Sequence, residues 1–184
     1  MRWLFGCFVF CLIAISAFAQ DSASWISSLP QAKDYVQHRS SSYDRNGGNG
    51  DARAIAPGET LTLLDEAGPG IVTHVWVTIA SDDPNHLKAL VLRMYWDGES
   101  TPSVEAPIGD FFGLGLGTYH LFQSLPLSVS SDKALNCYMP MPFQRHARIT
   151  VTNEGAIRTD ALVVASGALQ ERRVLEQDLR PSEA

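Results

Sequence analysis

Between Ser41 and Asp51 the chain reads Ser41-Ser42-Tyr43-Asp44-Arg45-Asn46-Gly47-Gly48-Asn49-Gly50-Asp51, with polar and charged side chains gathered around a pair of glycines. Glycine reaches positive φ without steric penalty and lets the backbone fold tightly. Asp44, Arg45, Asn49 and Asp51 can therefore be turned toward one point as two carboxylates, a guanidinium fork and a carboxamide. Groups of these kinds hydrogen-bond the hydroxyls of a sugar. The same composition also builds a surface turn in which Asp and Asn side chains bond their own backbone.

Other residues offer related chemistry. An indole face stacks on the apolar face of a sugar ring. Trp76, beside His74 and Thr78, suits that role, whereas Trp96 alternates with aliphatic residues and reads as core. In Pro107-Ile108-Gly109-Asp110-Phe111-Phe112-Gly113 one carboxylate lies between glycines and beside two aromatics. A desolvated Asp110 would hold its proton more tightly and suit proton transfer. Alternatively Asp110 fastens the loop while Phe111 and Phe112 fill the end of a core.

Several chemistries find no support. The glycines Gly113, Gly115 and Gly117 lack phosphate-loop or dinucleotide spacing. His38, His74, His86, His120 and His146 are scattered, with no metal-binding pair spacing. Asp82, Asp83 and Asn85 have oxygens suited to calcium, but beside Pro84 they also read as a solvated turn. Ser124 and Ser128 stand outside any nucleophile elbow. No metal or cofactor is expected.

The elements that position these residues follow from pattern. Met1-Arg2, the apolar run Trp3 to Ile15, and Ala17-Phe18-Ala19 before Gln20 read as a cleaved export signal over residues 1–19. The run is shorter than the roughly 20 apolar residues of a membrane span. The mature protein is thus expected in the periplasm or outside the cell, free of the membrane. Cys7 and Cys11 leave with the leader, so Cys137 has no intramolecular partner. With 14 basic and 20 acidic residues the chain carries a net charge of −6. That balance argues against nucleic acid, whose binding relies on basic residues neutralising phosphates.

Residues 20–58 read as a helical lead-in, which Pro30 can open, followed by the polar glycine-rich loop. From 59 to 168, short β-branched and aromatic runs broken by Gly, Pro, Asn and Asp predict one all-β antiparallel jelly-roll sandwich. In the run 71–79, Ile71, Thr73, Val75, Val77 and Ile79 would share one face and Val72, His74, Trp76 and Thr78 the other. In the run 90–97, Leu90, Leu92, Met94 and Trp96 would face the core, and Asp97-Gly98 marks a turn. The doubly proline-broken run Cys137-Tyr138-Met139-Pro140-Met141-Pro142-Phe143 suits a sheet edge or an interface. A charged tail fills 169–184.

Six segments in one order carry a resemblance: Ser41 to Arg45; Gly68-Pro69-Gly70-Ile71-Val72-Thr73 with Trp76; Tyr95-Trp96-Asp97-Gly98; Pro107 to Gly113; Cys137 to Phe143; and Thr152-Asn153-Glu154. Over about residues 38–157 the sequence resembles the bacterial family long filed as domain of unknown function 2961 and now placed as glycoside hydrolase family 172. The resemblance implies a double jelly roll that assembles as trimers or hexamers. It also implies cleavage or rearrangement of furanosides, difructose dianhydride and arabinofuranosides included, with retention at the anomeric carbon. Asp44, Arg45, Asn49, Asp51, Trp76, Asp110, Phe111 and Phe112 are the residues read as substrate-binding.

Family members continue past Thr152-Asn153-Glu154-Gly155 into a second jelly roll that holds the catalytic glutamates. Here Ala161-Leu162-Val163-Val164-Ala165 gives way to the charged run Gln170-Glu171-Arg172-Arg173. The expectation is therefore an N-terminal half, inactive alone, with no catalytic residue assigned. The alternative is a carbohydrate-binding or assembly module.

Overall fold

A computed structural model describes residues 35–131 and 133–169. The expected leader, the greater part of the expected helical lead-in and the charged run from Gln170 lie outside the described residues. Val36 to Arg39, expected at the end of that lead-in, instead belong to strand β1 (Val36–Ser41). Tertiary pairing decides this segment: every residue of β1 faces one of β12 (Thr159–Leu169), from Val36 opposite Leu169 to Ser41 opposite Val164.

Two antiparallel sheets form a sandwich, as the short β-branched runs predict. The larger contains β1, β12, β4 (Gly70–Ser81), β9 (Leu135–Cys137), β8 (Leu127–Val129) and β7 (Phe122–Gln123) in that order. Short β2 (Arg53–Ile55) also pairs with β12, and β10 (Met141–Phe143) with β4. The smaller sheet runs β3 (Thr60–Ala67), β11 (His146–Asn153), β5 (Leu90–Trp96), β6 (Val104–Pro107). Val75 and Val77 of β4, with Val163 and Ala165 of β12, pack toward Leu92, Met94 and Ile149 of the smaller sheet. Two single-turn helices, α1 (His86–Ala89) and α2 (Ile108–Phe111), close one end, where Leu87, Ile108, Phe112 and Leu114 are fully buried.

In β5 Leu90, Leu92 and Met94 are buried as expected and Trp96 packs on the core from its edge, but Val91, on the opposite face, is buried as well. Asp97 and Gly98 both take positive φ, 55° and 88°, and Glu99 N–H donates to the Trp96 carbonyl at 2.9 Å. This is the turn whose twist matches a hairpin.

In β4 the expectation fails at one end. Val75, Val77 and Ile79 face the core, but Val72 is buried with them while Thr73 is exposed. Opposite, Ser166 pairs with His74 and Gly167 with Val72, so Thr73 is the extra residue of a β-bulge, and a bulge reverses the alternation. Gly167 suits this crossing, because a Cβ there would sit 2.8 Å from the Ile71 carbonyl oxygen.

Asn153 is a buried knot at the helix-closed end. It is 1% exposed; its Nδ2 donates to the carbonyls of Ile55 and Ile157, each at 2.9 Å, and its Oδ1 accepts from Gly155 N–H at 3.0 Å. The motif residue Asn153 is thus a fastener of β2 to the turn after β11.

Candidate functional site

The loop from Tyr43 to Ala52 leaves β1 and returns as β2, and two aspartates shape it. The Asp44 carboxylate accepts the N–H of Asn46 at 2.9 Å and of Gly50 at 3.3 Å, while Asp51 accepts the N–H of Asp44 at 2.7 Å. Those backbone donors, Asn46 first and then Gly50, hold the Asp44 carboxyl below its ordinary range. A side chain at Gly48 would collide with Asp44, its Cβ lying 2.6 Å from Oδ2. Asp44 and Asp51 therefore take the turn-building role: Asp51 holds the Asp44 main chain, and both carboxylates accept from backbone N–H groups. The Arg45 guanidinium lies 5.2 Å from the centre of the Tyr43 ring, and Tyr43, Arg45 and Asn49 are exposed.

Beside this loop, between β1, β2 and β3, lies a cleft of about 130 Å³, lined by Ser40, Ser41, Ser42, Arg53, Leu61, Thr62, Leu63 and Val163. Arg53 and these hydroxyls were not picked out from the sequence. Arg53 donates to the carbonyls of Gly50, Ala52 and Tyr43, at 2.9, 3.3 and 3.4 Å. An arginine three residues after the loop's last glycine was the available signal.

The remaining candidates lie elsewhere on the sandwich. Trp76 is partly buried at the centre of β4, in the register row that runs Ser41, Val164, Trp76, Asn136. Two strand spacings of about 4.8 Å separate its backbone from that of Ser41. Near it His74 stacks on Tyr138 with ring centres 4.5 Å apart, and both bond the Asn136 carboxamide oxygen. Asp110 is exposed on α2 and paired with the Lys88 ammonium, which also bonds the Gly115 carbonyl at 2.6 Å. Phe112 is core. Phe111 meets its ring edge-on and borders an open apolar groove of about 340 Å³ with Trp96, Met139 and Met141.

One pair of carboxylates is drawn together: Arg93 donates from Nε to Glu105 at 2.7 Å and from Nη2 to Glu154 at 2.6 Å. Asp83 accepts the N–H of Asn85 at 2.8 Å, as in a turn. Among the described residues no group of three His, Cys, Asp or Glu side chains is placed to hold a metal ion, and no helix is long and apolar enough to cross a membrane.

Comparisons with known proteins complete the description. A search of curated proteins found no match. Among solved structures, a crystal structure of the serine protease of Aeromonas sobria aligns with 79% of this chain and 28% of its own, at 13% identity and a TM-score of 0.35. The chain thus spans little more than a quarter of that structure's length, and the likeness is too distant to carry an argument. The family model described as GH172 domain-like matches residues 49–164, well over half of the chain. That match covers β2 through most of β12, the sandwich just described, and by it the chain belongs to the GH172 domain-like family, with its relationship to the glycoside hydrolases.

Proposed function

We propose that this chain is the sugar-binding, N-terminal half of an exported furanoside-processing glycoside hydrolase, of the difructose dianhydride or arabinofuranoside type. The observation that carries this reading is the Tyr43–Ala52 loop. Its carboxylates are bonded inward, while Tyr43, Arg45 and Asn49 are left outward beside a hydroxyl-lined cleft. An aromatic ring, a guanidinium and a carboxamide held on a braced loop bind a polyol with little ordering cost.

The chain alone binds such sugars without hydrolysing them. Retaining hydrolysis needs two carboxyl groups about 5 to 5.5 Å apart across the scissile bond, one of them able to donate a proton. Glu105 and Glu154 are both bonded by the Arg93 guanidinium, and Asp44 and Asp51 are bonded to backbone donors. A second reading, an assembly module, is favoured by the apolar groove at Phe111 and Met139 to Pro142, an apolar face suited to contact between copies in a trimer or hexamer.

The test is calorimetric titration with methyl arabinofuranoside and difructose dianhydride, together with assays on aryl arabinofuranosides and fructofuranosides. Arg45→Ala should weaken binding and leave the melting temperature nearly unchanged. Turnover by the chain alone, abolished by Asp110→Asn, would overturn the non-catalytic assignment. Turnover only after mixing with a separately expressed second half of a relative would support it.

A further inference from the structure

The cleft beside the loop holds a positive charge that binding a neutral furanoside does not require. Arg53 spends both Nη1 hydrogens on the carbonyls of Gly50 and Ala52 and one Nη2 hydrogen on that of Tyr43. Three uncharged acceptors fix the guanidinium plane without cancelling its charge. Among the described residues no carboxylate forms an ion pair with it. Asp44 acts on Arg53 only through space, because its oxygens are bonded to Asn46 and Gly50, and Asp51 is bonded to Asp44 N–H.

What remains is the Nε hydrogen and the second Nη2 hydrogen. A guanidinium's Nε–H and the Nη2–H on its Nε side form the planar fork that matches both oxygens of a carboxylate. The cleft it borders has Ser40, Ser41, Ser42 and Thr62 on its walls and Leu61, Leu63 and Val163 among its lining. Ser42 donates to the Val163 carbonyl and accepts its N–H, and Ser41 accepts Tyr43 N–H, so the donors left for a small polyol are the Ser40, Ser41 and Thr62 hydroxyls, with aliphatic carbon beside them for its C–H face. The segment from Arg39 to Arg53 holds three arginines against two aspartates in a chain of net charge −6.

We propose that this cleft takes the carboxylate of an acidic sugar, a furanoside bearing a carboxylate, with Arg53 as the residue that reads the acid. The inference rests on the sugar-binding reading of the same loop and narrows its ligand class. Arg45 and Tyr43 then hold the ring, and Arg53 discriminates acid from neutral sugar.

The full chain is titrated at low ionic strength with methyl arabinofuranoside, the same sugar oxidised at C5 to the uronate, sodium acetate and inorganic phosphate. A hydrogen-bonded charge pair predicts that the uronate binds about tenfold or more tightly than the neutral sugar, and that added salt narrows the gap. Arg53→Gln should abolish the preference. Arg53→Lys, which keeps the charge and loses the fork, should reduce it severalfold; its melting temperature shows whether the loop survives, and it decides the matter if Arg53→Gln does not fold. Equal affinity for uronate and neutral sugar, or a preference that persists in a folded Arg53→Gln protein, overturns the proposal. Acetate or phosphate binding as tightly as the uronate also overturns it, since the cleft would then be a general anion site. Arg53-dependent uronate binding with no neutral-sugar binding supports the acidic ligand and removes the neutral furanoside from the proposed function.

Discussion

Replacing Asn153 by alanine removes three hydrogen bonds at one buried point. Its Nδ2 meets the carbonyls of Ile55 and Ile157, and its Oδ1 meets Gly155 N–H, all within 3.0 Å. A made hydrogen bond contributes about 1 kcal/mol net, and a buried group left without a partner costs about 1–3 kcal/mol. Ile55 is fully buried, so its carbonyl finds no water after the change, whereas Gly155 and Ile157 are open enough to rehydrate. The two rehydrated bonds and the stranded Ile55 carbonyl sum to a loss of about 3–5 kcal/mol, or roughly 6–20 °C in melting temperature for a domain of this size. Asn153→Asp tests the same geometry differently: it keeps the shape but sets an oxygen against two carbonyls, so its stability should improve as acid protonates it. Urea titration by circular dichroism gives both values. A loss below about 1 kcal/mol with an unchanged denaturant slope would refute the fastening role.

Four further outcomes follow from other parts of the sandwich. Phe112→Ala empties a fully buried site and should cost about 3–5 kcal/mol in urea unfolding. Asp110→Asn breaks only its half-exposed pair with Lys88 and should shift the same measurement by less than about 1 kcal/mol. The N–H groups of Arg145, His146 and Gln144, Arg145 foremost, hold the Asp97 carboxyl below its ordinary 3.8. The folded state therefore releases this proton more readily than the unfolded chain, so the stabilisation is present above about pH 4 and lost as pH falls through the lowered value. Asp97→Asn should flatten the acid limb of the stability curve. Cys137 is fully buried, and burial pushes its thiol up, so iodoacetamide should label it only after unfolding, as read by mass.

The legible parts of the fold were those set by local pattern. Leu90, Leu92 and Met94 line one face and the strand ends in Asp97-Gly98, so its core face and its turn could both be read from a few residues, while the burial of Val91 on the other face could not. Where a distant partner decides, the reading broke down. Strand β1 exists because β12 accepts it, Ser42 bonding Val163 across 121 residues. The bulge at Thr73 depends on the register of that same strand, which no residue near Thr73 announces. At the candidate site Asp44 and Asp51 stand out in the sequence, but their side chains turn inward onto backbone donors. Arg53 escaped notice because its position comes from three carbonyls, and main-chain acceptors leave no mark on residue type.

Strand β12 touches β1, β2 and β4 together, which gives the larger sheet a fixed calendar during vectorial synthesis. The segments that become β1 and β2 emerge early and have no partner until residues 159–169 follow. Until then β4 lacks the partner for the edge that β12 takes, and that edge beside the apolar row Val75, Val77, Ile79 is a template for other chains. The loop that carries Arg45 and Arg53 is therefore fixed last, although it is encoded first, and its geometry reports on whether the larger sheet has closed.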